Sequence, residues 1–233
     1  MHRRFSVAFL LAACLAASQL LVILIVSQFF PIQAQTQDHV APPARVATSY
    51  PAVDVHGAEH VAIAADPYNT REKIALFRVD YLKYDFLPVR IIVTNNSDHP
   101  ISLADARINF ITAAGDKIPT AEIPDVERRI DQIKRPDSGY KLPGPLPRIG
   151  NKSATKSKDI EDDFHSFEYS SVAVGPHSTS AGFLFYDLKG IANPLVGAKL
   201  NLTTLRDANG KELFYFEIPL DKYLAQPGSQ AKY

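Results

Sequence analysis

One segment, LPVRIIVTNNS at residues 87–97, has the composition of a strand buried inside a β-rich domain. Residues 87–94 are mostly apolar, and β-branched side chains dominate, which is typical of a strand covered on both faces. Pro88 fits near the start, where its missing N–H need not join the hydrogen-bond ladder. Asn95 and Asn96 favour a turn because their side chains bond their own backbone. We therefore predict a central strand over 87–94 with a turn after it.

Strand and turn patterns recur on both sides of this segment. Apolar runs, or alternation of apolar with polar residues between turn residues, predict the other strands. They cover residues 60–65, 101–103, 106–112, 169–174, 182–186, 198–203 and 212–218. The last two flank Asn209-Gly210, the preferred dipeptide of a type I′ turn, and so predict a β-hairpin.

Three further segments have the apolar period of a helix. The first is predicted over 70–84, where Asn69 and Glu72 form a capping pattern. The second begins after Pro124, and the third carries Ile160 on its apolar face. We attribute the acidic residues near Ile160 to the first helical turn, where the helix dipole favours them, and expect no cation site there.

These elements predict a mostly β fold. The fold class is an immunoglobulin-like antiparallel β-sandwich with one N-terminal helix and a long, partly helical insertion. The Cys-Trp-Cys signature of antibody domains is absent, since the chain has no Trp and one Cys. The prediction therefore depends on strand number, and a small open barrel is the alternative. The sandwich covers residues 58–224, and a disordered tail follows at 225–233.

The N-terminus predicts export. Arg3 and Arg4 precede an almost wholly apolar run at 5–30, so residues 1–34 are a cleaved signal peptide or a retained signal-anchor helix. The basic end stays in the cytoplasm, which places the remainder in the cell envelope, facing the periplasm from the inner membrane or exported. A lipidated Cys14 is a further alternative. Residues 35–57, rich in proline and small residues, predict a spacer.

Composition excludes several functional classes. Cys14 is the only cysteine, so the exported part has no disulfide, thiolate nucleophile or cysteine metal site. After removal of Arg3 and Arg4, 25 − 2 = 23 basic side chains face 25 acidic ones, a formal charge of −2. This balance predicts no nucleic-acid binding. We expect no cofactor.

The sharpest chemical motif is His56-Gly57-Ala58-Glu59-His60, an H-x-x-E-H pattern of zinc peptidases. The pattern holds a metal only on a helix, where the two histidines lie one turn apart. Here Gly57 interrupts it, a proline-rich segment precedes it and a strand follows. A zinc-dependent hydrolase through His56, Glu59 and His60 is therefore only a remote alternative, and we predict that the protein is not an enzyme.

The segment at residues 134–158 is the predicted contact site. It holds four prolines, seven basic side chains and one acidic side chain, which predicts a mobile basic loop. A polyproline-like stretch within it would bind an aromatic groove of a partner. Its residues are Lys141, Pro143, Pro145, Pro147 and Arg148. A plain linker is the alternative interpretation.

Aromatic residues near the C-terminus offer another surface. They are Phe183, Phe185, Tyr186, Phe214, Tyr215 and Phe216. Strand alternation buries about half of them, and the exposed members form a patch only if they are neighbours. The leading hypothesis is a non-catalytic, membrane-tethered or exported protein that mediates protein–protein interaction in the envelope through the segment 134–158 or an exposed strand edge. The alternative is a small-ligand or sugar-binding module.

Several of these strand and turn segments resemble a group of uncharacterised exported bacterial proteins with an immunoglobulin-like domain. They are Asp66-Pro67-Tyr68, Leu87-Pro88-Val89, Thr94-Asn95-Asn96, the run at 182–186 and the run at 212–219. The likeness covers roughly residues 61–223. It implies a β-sandwich and an extracytoplasmic location, and it carries over no catalytic residue.

Overall fold

A computed structural model describes residues 39–134 and 152–224, and this part of the chain is mostly β with antiparallel sheets. The predicted signal or anchor helix, the tail and the contact residues Lys141, Pro143, Pro145, Pro147 and Arg148 lie outside the described residues. Within the described residues, no helix is both long enough and apolar enough to cross a membrane.

The described segments contain strands, α-helices and short 3-10 helices. The strands are β1 (Ala52–His56), β2 (Val61–Pro67), β3 (Phe86–Asn95), β4 (Ile101–Ser102), β5 (Arg107–Ile111), β6 (Lys117–Ile118), β7 (Ala173–Val174), β8 (Ser178–Asp187), β9 (Lys199–Thr203) and β10 (Phe216–Pro219). The α-helices are α1 (Arg71–Ile74), α2 (Ile123–Lys134) and α3 (Lys152–Phe167), and 3-10 helices cover Ala47–Ser49, Tyr81–Tyr84 and Leu220–Tyr223.

Two four-stranded sheets make up the body of the described structure. Their strand orders are β1-β2-β3-β8 and β10-β9-β5-β6, and β4 pairs separately with β7. Apolar side chains of both sheets form one core, to which β3 contributes Val89 and Ile91, β5 contributes Phe110, and β9 contributes Leu200. The sheets therefore pack face to face, with β1 and β10 at their edges.

The central strand is confirmed as β3. It pairs with β2 on one side and β8 on the other, and each of its residues is buried. Leu87, Val89 and Ile91 face the core between the sheets. On the opposite face, Phe86 packs in a second apolar cluster with residues of α2 and α3, which we call the helical layer. Ile92, also on this face, packs against the chain around Ala47. A strand covered on both faces explains the absence of polar alternation in its sequence.

The helix predicted over 70–84 is wrong in extent. Thr70, one residue later than predicted, is the N-cap of a helix that ends at Ile74, and the chain forms only a 3-10 turn at Tyr81–Tyr84. The backbone N–H groups of Arg78 and Val79 donate to the carboxylate of Asp163, at 3.0 and 3.1 Å, instead of to helical carbonyls. A long-range partner thus replaces the local helical hydrogen bonds.

The insertion also differs from its prediction. The helix α3 begins at Lys152, so residues 152–158 are helical rather than part of a loop. The acidic residues therefore lie from the middle of α3 onward, not in its first turn. Asp163 is fully buried and holds the chain at 78–81, while Ile160 and Phe164 pack in the helical layer with Ile130 of α2. The amphipathic faces predicted for both helices are thus confirmed, although Ile133 is exposed.

The predicted spacer at 35–57 contains ordered structure. Strand β1 occupies residues 52–56 and pairs with β2, from Ala52 opposite Ala65 to His56 opposite Val61. The 3-10 helix before it is tied down by Ala47 N–H, which donates to Thr94 Oγ1 at 2.8 Å. Pro42, Pro43 and Pro51 all precede β1, so they do not interrupt its ladder.

Two strand predictions need new boundaries. The hairpin is confirmed by the pairing of β9 with β10, but β10 begins at Phe216 instead of residue 212. Gly210 has a φ of +78° whereas Asn209 has no positive φ, so the turn is not type I′. In the segment 169–174, only Ala173–Val174 is a strand. Tyr169 still contacts β8, because its N–H donates to Phe183 O at 2.9 Å. The neighbouring residue in β8 is Gly182, and a Cβ at this position would lie only 2.4 Å from Tyr169 Cα, so the close approach requires glycine.

Candidate binding groove at the edge of the two sheets

The β1–β2 turn and the β9–β10 connection together line an open groove of about 650 Å³. We call it the aromatic groove. The charged, imidazole and aromatic side chains that line it are those of Asp54, His56, Glu59, Lys211, Phe214 and Tyr215. The volume lies within the range typical of ligand sites. Because β1 and β10 are edge strands, the groove is at an exposed margin of the sandwich.

Two neighbouring aromatic side chains stand out from the groove wall. Phe214 is 75% exposed and Tyr215 is 58% exposed, whereas Phe216 is fully buried at the start of β10. The β9–β10 ladder begins only where Phe216 faces Leu202, so Phe214 and Tyr215 precede the paired region. Of the six aromatic residues singled out in the sequence, these two are the exposed neighbours, and the other four are in the core.

His56 lies with Asp54 and Glu59 in the part of the groove lining that we call the floor. Its ring stacks on Phe216 with centroids 3.9 Å apart and planes 15° apart. Its Nδ1 lies 3.0 Å from Glu59 Oε2, and its Nε2 lies 3.3 Å from Asp54 Oδ2. The imidazole therefore bridges two carboxylates while one of its faces is covered.

The same carboxylates also hold the opposite wall. Phe214 N–H donates to Glu59 Oε1 at 3.0 Å, and Glu217 N–H donates to Asp54 Oδ2 at 2.9 Å. Glu59 thus joins the β1–β2 turn to the β9–β10 connection, and Asp54 joins β1 to β10. With His56 between them, they fix the backbone that presents the exposed aromatic pair.

The H-x-x-E-H residues are divided between a strand and its turn. His56 ends β1, Glu59 lies in the turn, and His60 adopts a left-handed φ of +57° just before β2. The two histidines are therefore not one helical turn apart, which removes the geometry that a zinc peptidase needs. Among the described residues, no group of three or more His, Cys, Asp or Glu side chains is placed to hold a metal.

Two groove residues were missed by the sequence prediction. Asp54 is two residues before His56, so the two side chains share one face of a strand. The proline-rich composition of residues 35–57 predicts a spacer and so obscures this alternation of a strand. Lys211 follows the turn at Gly210, and only the fold brings it near β1. The predicted residues His56 and Glu59 do meet, but at the end of a strand and in its turn rather than on a helix.

A second polar cluster lies beneath α1. Lys73 Nζ lies 2.5 Å from Asp66 Oδ1 and 3.0 Å from Pro67 O, between the rings of Tyr68 and Tyr223. Burial, together with the nearby Asp66 carboxylate, raises the pKa of Tyr68 to about 12. These contacts tie α1 to β2 and explain the cluster as a structural one.

Comparison of this chain with protein families, with curated proteins and with solved structures finds no match.

Proposed function

We propose that this protein is a non-catalytic binding protein of the cell envelope, anchored through residues 5–30 or exported. Its domain is an immunoglobulin-like sandwich, a proposal supported by the two antiparallel sheets packed face to face. The aromatic groove is its contact surface. We place the contact here rather than in the segment 134–158 because the groove combines two exposed aromatic rings with an exposed strand edge.

One observation carries the proposal, namely that Phe214 and Tyr215 are exposed together over a groove with a hydrogen-bonded floor. Large aromatic side chains are normally buried when the fold allows it, and an exposed aromatic cluster is typical of interaction sites. Holding the backbone of Phe214 through Glu59 reduces the entropy lost when a partner binds. The site is therefore built to contact another molecule.

The carboxylates support binding rather than catalysis. Asp54 and Glu59 each accept a hydrogen bond from a backbone N–H, and each faces one nitrogen of His56. A general acid or base needs a proton that can move to a substrate. In this floor the three side chains face one another, so their role is to position the aromatic wall.

The test is site-specific photocrosslinking in the native membrane. Tyr215 is replaced by a benzoyl-phenylalanine, with Val172, 68% exposed and outside the aromatic groove, as the control position. We expect a reproducible adduct from position 215 and none of the same mass from position 172. Identical adduct patterns at both positions, or no adduct at 215, would count against the groove as the contact surface.

A further inference from the structure

We propose that the aromatic groove takes a neutral carbohydrate chain. This inference rests on the proposed binding function and adds the chemical class of the ligand. It draws on three properties of the groove: two exposed aromatic rings, nearly balanced charges of both signs, and a floor that is fixed before any ligand arrives.

The exposed rings suit the faces of sugar rings. An aromatic face carries partial negative charge, which attracts the slightly positive C–H groups that cover one face of a pyranose. Stacking removes these C–H groups from water while the hydroxyl groups at the rim stay available for hydrogen bonds. Phe214 and Tyr215 are consecutive in the chain, so they offer contacts to neighbouring sugar units.

The polar side chains match hydroxyl groups, which both donate and accept. Asp54 and Glu59 offer carboxylate acceptors, and Lys211 offers an ammonium donor on the other wall. Two carboxylates against one ammonium give the groove a charge of −1 with His56 neutral and zero with His56 protonated. A surface this close to neutrality gives little electrostatic preference for a highly charged ligand.

The carboxylates retain capacity for a ligand. The side chains of Asp54 and Glu59 are 27% and 17% exposed, and each carboxylate has about four lone-pair sites. Each carboxylate uses one lone pair to accept from a backbone N–H, and a second lone pair faces a nitrogen of His56. The remaining sites accept from ligand hydroxyls, and the existing hydrogen bonds hold those acceptors in place.

A basic peptide is the competing ligand, since aromatic rings and carboxylates also attract cations. Lys211 argues against it because it places a like charge inside the same groove. The groove chemistry therefore favours hydroxyl groups over ammonium or guanidinium groups. Binding of probes that differ in charge tests this preference for hydroxyl groups directly.

The experiment uses the full chain in detergent with calorimetric and saturation-transfer NMR titration. The neutral probes are maltohexaose, cellohexaose and chitohexaose. The charged probes are fully deacetylated chitohexaose, hexagalacturonate and hexalysine. We expect at least one neutral probe to bind, and more tightly than any charged probe. Tyr215→Ala and Phe214→Ala should each weaken this binding about tenfold, the effect of removing a central contact residue.

Matched variants separate stacking from loss of structure. Tyr215→Phe keeps the ring and should retain binding, as should Val172→Ala outside the groove. Failure of every neutral probe, tighter binding of hexalysine, or binding that survives both alanine variants would overturn the carbohydrate assignment. If photocrosslinking at position 215 still captures a protein, the proposed function stands and only the ligand class is wrong. Recovery of shortened oligosaccharides would overturn the non-catalytic assignment.

Discussion

His56 shows how one side chain can organise a surface. The face of its ring stacks on Phe216, and its two nitrogens contact Asp54 and Glu59. One residue therefore makes both the apolar and the polar contacts. Glu59 also accepts from the Phe214 N–H in the β9–β10 connection, and Asp54 accepts from the Glu217 N–H in β10. Loss of the imidazole would expose Phe216 and leave two like charges without the group between them.

Replacing His56 with Ala should therefore lower the free energy of unfolding by about 1 to 3 kcal/mol, from lost stacking and unpaired carboxylates. Urea denaturation of the described domain within the full chain measures the change. His177→Ala is the control, because His177 is 63% exposed and contacts one exposed carboxylate, Asp98. That variant should change stability by less than about 0.5 kcal/mol. Equal effects of the two substitutions would contradict the role of His56.

Asp163 is the other residue whose environment sets its role. Its carboxylate is fully buried and accepts from Arg78 and Val79, and Tyr81 Oη donates to it at 3.3 Å. Burial raises the pKa of Asp163, and the hydrogen bonds from Arg78 and Val79 only partly oppose this. The ionised form therefore stabilises the fold less than the protonated form does.

This shift predicts a pH dependence with a definite sign. A folded pKa above the unfolded value, about 3.9, gives stability that is present below that value and lost as the pH rises through the folded pKa. The unfolding free energy of the natural protein should fall relative to that of Asp163→Asn as the pH rises from about 4. Denaturant titrations of both proteins over the acidic range test this. A constant difference would show that the folded pKa is not raised.

At the scale of elements, the junction between the β1–β2 turn and the β9–β10 connection positions the site. The two segments belong to different sheets and are joined by a side chain–backbone hydrogen bond, from Phe214 N–H to Glu59, rather than by a strand ladder. Glu59 makes the bond that reaches Phe214, the more exposed aromatic residue. The orientation of the aromatic wall thus depends on the turn of another sheet.

Removing this bond should loosen the wall without unfolding the sandwich. In Glu59→Ala, the Phe214 amide loses its acceptor and should exchange with deuterium about tenfold faster, as for a lost hydrogen bond of roughly 1.4 kcal/mol. Glu59→Gln keeps a carbonyl acceptor and should exchange near the natural rate. Amide exchange by NMR resolves Phe214 directly. Equal protection in the alanine and natural proteins would show that Glu59 does not hold this wall.

At the scale of the whole molecule, the described structure has a sheet covered on both sides. The second sheet packs against one face of β3, and α2, α3 and the chain at 47–50 cover the other. Apolar residues of α2 and α3, including Ile130 and Ile160, belong to one buried cluster. The two helices therefore pack through their own apolar residues.

Replacing residues 135–150 with a glycine-serine segment of equal length should therefore leave the thermal midpoint unchanged within about 2 °C. Crosslinking from position 215 should also persist, since the groove is formed by other elements. Circular dichroism and the crosslinking assay measure the two effects. If the fold holds but the adduct disappears, the basic segment and not the aromatic groove is the contact surface.

The sequence by itself determined the antiparallel β character, the buried strand β3, the β9–β10 pairing and the helical faces around Ile130 and Ile160, because these follow from local periodicity and turn chemistry. Only the tertiary structure decided where the 70–84 helix stops, since Asp163 is distant in sequence. It also decided that β1 is a strand, because a short edge strand is stabilised by its partner. The groove also depends on the tertiary structure, because Asp54, His56 and Glu59 meet Lys211, Phe214 and Tyr215 only when two edge strands come together.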